Sequence, residues 1–466
     1  MDVLDLARWQ FGITTVYHFL FVPLTIGLAF LVAGLQTAWL RTANERYLRL
    51  TKFYGELFLI IYAIGVVTGI VQEFQFGMNW SDYSRFVGDI FGAPLAIEGL
   101  LAFFLESTFL GLWIFGWDRL PKKVHVATIW IVATGALLSA YFILAANAWM
   151  QNPVGYTFNA GAHRAELTDF LAVMTNPVAT ITFVHTMLAS FLTAGAFMAG
   201  VALWRLARRP GEDADAFVSA GRIGAITVLV AAVLVLVSGD LQAKVMTDVQ
   251  PMKMAAAEAL YQTEQPASFS LFTIGTLNGN KELFSVRIPA VLSFLATGSF
   301  DGRVLGINNL QAQYVQRYGP GDYRPIIPIT YWTFRLMIGT DALAGMIALW
   351  LLWALRRRRL RPNRWVVGAA ILLPLLPLAG NSLGWIFTEM GRQPWIVFGL
   401  MSTAAGVSPG TSALEVLITM VTFTLLYGGL AVVGVGLLLR RIQAGLPEVA
   451  PPGDDDGADR PIAFAY

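Results

Sequence analysis

The chain has 466 residues, of which 56% are hydrophobic and 13% are charged, whereas about 25% of the residues in a typical soluble domain are charged. The net charge is +2 and the basic residues are scattered, so no basic stripe indicates nucleic-acid binding. The absence of cysteine excludes disulfides, iron–sulfur clusters, thiolate-ligated haem and covalent haem attachment through CxxCH.

The apolar segments predict an all-α integral membrane protein with about nine transmembrane helices. A bilayer core of about 30 Å is crossed by roughly 20 apolar residues of helix. The first segment is too long for a removable signal peptide and has no basic leader, so we expect it to remain in the mature protein. In chain order the segments are 11–40, 53–72, 92–117, 126–147, 178–204, 223–239, 331–355, 365–388 and 415–439.

The distribution of lysine and arginine predicts the orientation. Short segments on one side of the predicted membrane carry one basic residue each, and those on the other side carry three or more. Because short cytoplasmic loops hold the excess of basic residues, we expect the N-terminus outside and the C-terminus in the cytoplasm. The segment 241–330 carries seven basic residues on the outer side, which is compatible because long loops are translocated largely regardless of charge.

This layout divides the chain into four regions. The last of them contains PPGDDDGAD, a composition typical of a disordered, solvated end. The regions are a six-helix transmembrane region (1–240), an extracytoplasmic loop (241–330), a three-helix transmembrane region (331–440) and a cytoplasmic tail (441–466).

Ionisable side chains inside the apolar segments are candidate functional residues, because an unpaired charge within the bilayer is costly. His18, in TTVYHFLFVPLTIGLAF, fits a ligand, a proton-handling group or a structural neutral histidine. Glu98 and Glu106 share the third segment, where a regular helix would place them about 12 Å apart along its axis and roughly 80° apart around it. They fit successive positions on a proton route or residues that join helices.

Other candidates lie in later segments. His185 is near the outer end of the fifth segment and Met337 is at a similar depth in the seventh. The histidine fits a ligand or a structural residue, and a lone methionine is usually a packing residue. Asp341, one turn deeper, has no evident partner, whereas His125 and His163 are predicted to lie at the surface.

The stretch WIFTEMGRQPW places an acid and a base at the end of the eighth segment. Glu389 and Arg392 follow 24 residues without a formal charge, 365–388. A carboxylate in such surroundings needs a compensating partner. Of the candidates so far, Glu106 lies toward the inner side and the others fall in the outer half, which favours a chemical centre near the outer face with a proton path from inside.

Eight ordered blocks carry a family resemblance. They are YHFLFVPLTIG, EFQFGMNW, GDIFGAPLAIEGLLAFFLESTF, ANAWMQNPVGYTFN, FVHT, DVQPMKMAAAEA, FRLM and EMGRQPW. Together they resemble subunit I of the cytochrome bd-type quinol oxidases, in the form with a short quinol loop, since no long insertion follows NNLQAQYVQ. The resemblance implies two b haems, one low-spin and one high-spin, and one d haem. It also implies a second integral membrane subunit and leaves open a small single-helix subunit.

The resemblance suggests specific haem ligands. His185 and Met337 resemble the axial pair of the low-spin b haem, and Arg335 beside them would neutralise a haem propionate. His18 resembles the axial ligand of one high-spin haem and Glu389 that of the other. Which of these two sites holds the d haem is left open.

The same blocks imply a proton route. Glu98 would lie beside the high-spin haems as a ligand or proton donor, and Glu106 would relay protons toward these haems. Ser139 and Asn147 are candidate helpers on this route. Arg392 can pair with a carboxylate or a propionate.

The loop block PMKMAAAEA resembles the quinol-binding segment of the family. Lys253 and Glu258 match residues that engage the quinol in relatives. A base near the head-group is required because quinol oxidation releases two protons. On residue pattern alone, the stretch also fits an exposed amphipathic segment with ordinary surface charges.

The resemblance implies a terminal respiratory oxidase in the bacterial cytoplasmic membrane. Quinol would be oxidised at the outer face, and O2 would be reduced to water with protons taken from the cytoplasm, which generates a proton motive force without pumping. The alternative is a proton-coupled transporter that uses Glu98, Glu106 and Asp341 as a carboxylate relay. A haem–copper oxidase is excluded because it requires more intramembrane histidines than this chain has.

Overall fold

The computed structural model describes residues 2–209, 211, 213–276, 279, 281–356 and 363–448. Most of the predicted tail 441–466, from residue 449 onward, lies outside the described residues. Within the described part of the chain, nine helical spans are long and apolar enough to cross a membrane. The predicted all-α fold with about nine transmembrane helices is confirmed.

The first four spans contain seven helical elements. The second span is a single helix, whereas the first and third are built from consecutive pieces. The elements are α1 (Val3–Phe19), α2 (Val22–Thr42), α3 (Glu45–Met78), α4 (Ser81–Ile97), a π-helix (Glu98–Phe103), α5 (Phe104–Phe115) and α6 (Lys122–Gln151).

The middle of the chain forms two spans and the folded loop. The loop is not an irregular connection, because it contains helices and an antiparallel hairpin. The elements are β1 (Tyr156–Asn159), β2 (Arg164–Leu167), α7 (Phe170–Met174), α8 (Pro177–Arg208), α9 (Ala214–Val249), α10 (Pro251–Ala257), β3 (Phe269–Gly275), β4 (Glu282–Ile288), α11 (Val291–Thr297) and α12 (Ile307–Tyr318).

The last three spans follow the loop. They are α13 (Ile327–Arg356), α14 (Arg364–Met390) and α15 (Ala413–Ala444), and between the last two lie β5 (Trp395–Val397), β6 (Met401–Ser402) and a 3-10 turn (Ala404–Gly406). The strands pair as three separate antiparallel hairpins, β1 with β2, β3 with β4 and β5 with β6. Their registers place Tyr156 opposite Leu167, Phe269 opposite Ile288 and Trp395 opposite Ser402.

The spans extend beyond the predicted segments because helices continue through polar residues that hydropathy does not count. Polar caps begin several of them: Asn44 accepts a hydrogen bond from the backbone N–H of Arg46 at 3.0 Å, and Ser412 with Glu415 forms a capping box. Such caps satisfy the free N–H groups of the first turn. The sixth span differs most, since it begins at residue 214 rather than 223 and ends at 249 rather than 239.

The predicted first segment, 11–40, is not one helix. It is interrupted at Leu20 and Phe21, immediately before Pro23 in the first turn of α2. Proline has no N–H to give to the carbonyl of the preceding turn, so the hydrogen-bond pattern of α1 cannot continue through Pro23. The break separates α1, which packs against α3, α14 and α15, from α2, which packs against α3, α6 and α8.

Helix α8 lies at the centre of the bundle and packs most closely against α9. The contact is made by small residues: a Cβ built on Gly224 of α9 would lie 2.6 Å from the backbone oxygen of Gly195 and 2.7 Å from the backbone nitrogen of Ala199. Without a hydrophobic driving force between helices in lipid, close backbone approach of this kind is what holds membrane helices together.

Gly224→Ala is expected to lower the thermal stability of the purified protein, because the added methyl group forces α8 and α9 apart. Overpacking of this kind costs about 1–3 kcal/mol. The control is Gly34→Ala on α2, where a Cβ meets nothing within 4 Å. Equal melting temperatures for the two variants in the same detergent would contradict this packing.

Candidate functional site

His18 lies in the last turn of α1 and its imidazole packs against α3. Nδ1 is 2.9 Å from the hydroxyl oxygen of Thr68, and that hydroxyl donates to the backbone oxygen of Ile64 at 2.9 Å. The next residue is Gly69, where a Cβ would lie 3.2 Å from Cε1 of the imidazole. Nε2 has no hydrogen-bond partner among the described residues.

His185 on α8 has the same surroundings. Nδ1 is 3.0 Å from the hydroxyl oxygen of Ser238 on α9, and that hydroxyl donates to the backbone oxygen of Val235 at 3.2 Å. Gly239 follows, and a Cβ there would lie 3.4 Å from Cε1. Here too, Nε2 makes no hydrogen bond to any residue that the structure describes.

Met337 on α13 faces α14. A Cβ on Gly384 would lie 2.8 Å from its sulfur, so a glycine at that position allows the thioether to lie between the helices. The helices α8, α9, α13 and α14 form one packed group, which contains both His185 and Met337.

Glu389 is the penultimate residue of α14 and has partners on both carboxylate oxygens. Oε2 accepts a hydrogen bond from Nη2 of Arg392, and Oε1 accepts one from the side-chain amide of Asn147 on α6 at 3.0 Å. Arg392 also donates to the backbone oxygen of Ile396, while its Nε is buried with no partner in the described chain. The acid that looked unpaired in the sequence is therefore held by a buried arginine and an amide.

Lys253 lies next to this group. It is buried in α10, donates from Nζ to the side-chain oxygen of Gln151 at 2.5 Å, and its stem packs against Gly391. Burial and the nearby Arg392 guanidinium lower the pKa of Lys253 to about 7, and Glu389 partly opposes them. The alternative of an exposed amphipathic stretch is wrong for this lysine.

The aromatic side chains beside Lys253 line a small cavity. Tyr314 of α12 and Tyr323 come from the loop, and Trp395 and Phe398 follow α14. The rings of Tyr323 and Trp395 are stacked, with centroids 5.5 Å apart. The hydroxyl of Tyr314 and the indole nitrogen of Trp395 are buried without a partner among the described residues.

Glu258, which ends α10, forms a buried ion pair with Arg335 of α13. The distance from Oε2 to Nη2 is 2.7 Å, and the guanidinium also donates to the backbone oxygen of Ser270 at 3.0 Å. Burial raises the pKa of Glu258, although Arg335 opposes this shift. Nη1 of Arg335 is buried without a partner in the described chain, so the guanidinium has a donor left for a second anion.

Glu98 begins the π-helix of the third span and accepts a hydrogen bond from the hydroxyl of Ser139 at 2.6 Å. Glu106 is buried eight residues farther on, against α6, where a Cβ on Gly135 would lie 3.1 Å from its Cβ. The predicted angle of roughly 80° between the two acids is wrong, because a π-helix has more residues per turn than an α-helix. Both acids nevertheless face the same neighbouring helix, α6.

His125 was predicted to lie at the surface, and this is wrong. It is buried, with Nδ1 2.7 Å from the side-chain nitrogen of Gln36 and Nε2 2.8 Å from the backbone oxygen of Trp113. The indole nitrogen of Trp113 donates to the side-chain oxygen of Gln36 at 2.8 Å, so the three side chains form one hydrogen-bond network. His163 is exposed, as predicted.

Asp341 does not join the other acids. It lies against α14, where a Cβ on Gly380 would come within 2.6 Å of its Oδ1. That oxygen is buried and has no partner in the described part of the chain. Since Glu98 and Glu106 face α6, the three carboxylates do not form one continuous relay.

The residues present fit haem better than a bare metal ion. Among the described residues, no three His, Asp or Glu side chains come together in a metal-binding cluster, whereas haem iron takes only one or two axial protein ligands. The two histidines with a free Nε2 and the thioether between helices are suited to ligate haem iron. The arginines with an unused donor are suited to bind haem propionates. The sequence analysis did not identify Thr68, Ser238 and Gln151 as site residues. For Thr68 and Ser238 a signal was available, because each is a small polar residue followed by glycine inside an apolar helix.

Comparisons with known proteins agree with this chemistry. The family model for cytochrome bd terminal oxidase subunit I matches residues 6–446. The chain is 48% identical over 447 residues to cytochrome bd ubiquinol oxidase subunit 1 of Bacillus subtilis (strain 168), with 96% of this chain and 94% of that protein covered. It is 38% identical to cytochrome bd-II ubiquinol oxidase subunit 1 of Escherichia coli (strain K12), with 88% and 91% covered. The structure of bd oxidase from Geobacillus thermodenitrificans matches with a TM-score of 0.86 at 29% identity, covering 95% of this chain and 99% of that one.

Arg335→Met is expected to destabilise the protein strongly, because it leaves Glu258 buried without its counter-ion. Breaking a buried pair from one side costs about 3–5 kcal/mol, and adding Glu258→Gln should recover part of the loss. As a control, Arg85→Met removes an exposed pair with Asp82, worth at most about 1 kcal/mol. Unfolding curves that do not distinguish Arg335→Met from Arg85→Met would contradict the ion pair.

Proposed function

The chain belongs to the cytochrome bd terminal oxidase subunit I family, and from this premise we propose how its residues carry out quinol oxidation and O2 reduction. As a member of the family it is a subunit of a quinol:oxygen oxidoreductase, a multi-pass membrane protein that pairs with a second subunit. The proposal concerns the haem sites, the proton route and the sidedness of the reaction.

The observation that carries the proposal is the state of the two intramembrane histidines. In His18 and His185, Nδ1 is hydrogen-bonded to a hydroxyl on the neighbouring helix, which leaves Nε2 as the nitrogen able to bind iron. A purely structural histidine would use both ring nitrogens, as His125 does.

We assign His185 and Met337 to the low-spin b haem. Both lie in the packed group α8, α9, α13 and α14, and a haem held by two protein ligands would be suited to electron transfer rather than to O2 chemistry. The unused Nη1 of Arg335 would bind a propionate of this haem while Nη2 stays on Glu258.

His18 and Glu389 would each hold one high-spin haem, one of b type and one of d type. When bound, these haems supply the one-electron carriers and the iron at which O2 is reduced. Asn147 and Arg392 orient the carboxylate of Glu389 through its two oxygens. The buried, unpartnered Nε of Arg392 remains available for a propionate.

Protons for O2 reduction would come from the cytoplasm along α6. Glu106 lies beside Gly135, and Glu98 accepts from Ser139 one turn farther along. Asn147, two turns beyond Ser139, reaches Glu389. Residues of one helix therefore connect the deeper acid to the haem end, and charge separation follows from taking protons inside and releasing them outside, without a pump.

Quinol would be oxidised at the outer face, where the loop meets the bundle. Glu258 is the proposed proton acceptor, since its raised pKa suits a base that takes a proton from a quinol hydroxyl. Lys253, at the aromatic-lined cavity, would contact the other oxygen of the head-group. Lys253 lies in the first turn of α10 and bonds Gln151, whereas Glu258 follows the last residue of α10 and bonds Arg335.

The remaining expectations complete the proposal. The N-terminus would lie outside and the C-terminus in the cytoplasm of a bacterial cytoplasmic membrane, and a small single-helix subunit could join the second integral subunit. The transporter alternative is set aside, because the chain belongs to an oxidase family and because Asp341 faces α14 rather than the α6 side used by Glu98 and Glu106.

His185→Ala is expected to remove the low-spin b signal from the reduced-minus-oxidised visible spectrum and to leave the high-spin signals largely in place, because only one iron loses its ligand. The control is His163→Asn, an exposed loop position with a φ of 50° that asparagine tolerates. An unchanged low-spin band in His185→Ala would refute the ligand assignment.

Lys253→Met is expected to raise the apparent KM for quinol about tenfold, because a lost hydrogen bond from a charged group weakens binding by about that factor. Because the pKa of Lys253 is lowered to about 7, its ammonium is present below that pH and lost above it. The KM of the wild type should therefore rise as the pH passes through about 7, whereas Lys253→Met should lack this step.

The matched control for Lys253→Met is Lys281→Met, which changes an exposed lysine of the same loop. It should keep both the low KM and the pH step. The Lys253 assignment fails if the two variants have the same KM across the pH range.

A further inference from the structure

The two candidate histidine ligands share a local arrangement that the family comparison does not explain. Each imidazole packs against a neighbouring helix at a hydroxyl residue followed by glycine: Thr68 and Gly69 on α3 for His18, and Ser238 and Gly239 on α9 for His185. The two pairs are about 170 residues apart in the sequence and lie on different helices. The same arrangement of a hydroxyl residue and a glycine therefore occurs at two separate histidines.

The direction of the hydrogen bonds follows from the hydroxyl groups. The hydroxyl hydrogen of Thr68 is given to the backbone oxygen of Ile64, and that of Ser238 to the backbone oxygen of Val235. A hydroxyl has one hydrogen to donate, and when that hydrogen lies on the helix carbonyl, the hydroxyl oxygen accepts from the imidazole. In this arrangement Nδ1 carries the proton and Nε2 carries the lone pair.

The glycines set how closely each ring can approach. A Cβ on Gly69 would stand 3.2 Å from Cε1 of His18, and one on Gly239 would stand 3.4 Å from Cε1 of His185. The distance at Gly69 is shorter than an ordinary van der Waals contact, and the distance at Gly239 is at the short end of ordinary contacts. A side chain larger than glycine at position 69 would therefore crowd the imidazole of His18. The hydroxyl favours protonation of Nδ1, and the glycine lets the ring approach the helix closely.

We propose that Thr68 and Ser238 are positioning residues for the haem ligands: each accepts Nδ1–H of its histidine and so presents an unprotonated Nε2 to the iron. The inference rests on the proposed function and deepens it. A hydrogen-bond acceptor on the far nitrogen orients a ligating histidine and raises its basicity. A more basic ligand stabilises the oxidised iron, so removal of the acceptor raises the midpoint potential of the haem.

A role limited to joining helices makes a different prediction. Loss of one hydroxyl would then lower stability without moving a haem potential. Ser190 on α8 provides the matched control, because it is fully buried and its hydroxyl donates to the backbone oxygen of Thr186 at 2.9 Å. It makes no hydrogen bond to a histidine within the described chain.

The test is an optical redox titration of the purified complex carrying Ser238→Ala or Ser190→Ala. Ser238→Ala should shift the low-spin midpoint upward, by about 59 mV for a tenfold change in the ratio of ferric to ferrous affinities. Ser190→Ala should leave the midpoint unchanged. Equal midpoints for Ser238→Ala, Ser190→Ala and the wild type would overturn the proposal.

The His18 site gives an independent second test. Thr68→Val, which keeps the shape and removes the hydroxyl, should alter the high-spin spectrum or lower the haem content and leave the low-spin midpoint unchanged, and Thr68→Ser should restore the wild-type properties. If Ser238→Ala prevents assembly, this pair decides the matter: identical spectra and haem content for Thr68→Val and Thr68→Ser would overturn the inference. A wild-type complex without haem would instead refute the proposed function.

Discussion

The arrangement of the site depends on one constraint: a charged side chain that leaves water must have a partner. Glu258 and Arg335 satisfy each other at 2.7 Å across 77 residues of sequence. Glu389 is held by Arg392 and by an amide from α6. The first pair holds the loop segment α10 against α13, and the second group joins the ends of α6 and α14.

The pairing of buried charges also brings the residues proposed for quinol oxidation close to those proposed for O2 reduction. Lys253 lies beside the Glu389 group and Glu258 is bonded to the arginine near Met337. One short helix therefore touches both ends of the proposed electron path, and a base for quinol protons stands next to the guanidinium proposed for the low-spin haem. On the other side, α6 links the deeper acids to the same end of the bundle. In the proposed mechanism, electrons enter beside α10 and protons arrive along α6, and Asn147 of α6 bonds the proposed haem ligand Glu389.

The sequence was sufficient for the number and position of the membrane spans, because apolar length is a direct requirement of the bilayer. It also identified His18, His185 and Glu389 as unusual, because ionisable groups are rare in such segments. It did not predict the break before Pro23, the π-helix at Glu98 or the burial of His125. These depend on neighbouring helices: a π-turn changes the face of an acid without any change in composition, and the partners of a histidine come from distant segments of the chain.

The direct test of the account is the haem content of the purified complex, determined by extraction and by the reduced visible spectrum. The account predicts bound b-type haem together with d-type haem, which absorbs farther to the red, with the low-spin b haem dependent on this chain. A correctly folded complex that contains no haem, with the membrane spans intact, would contradict it.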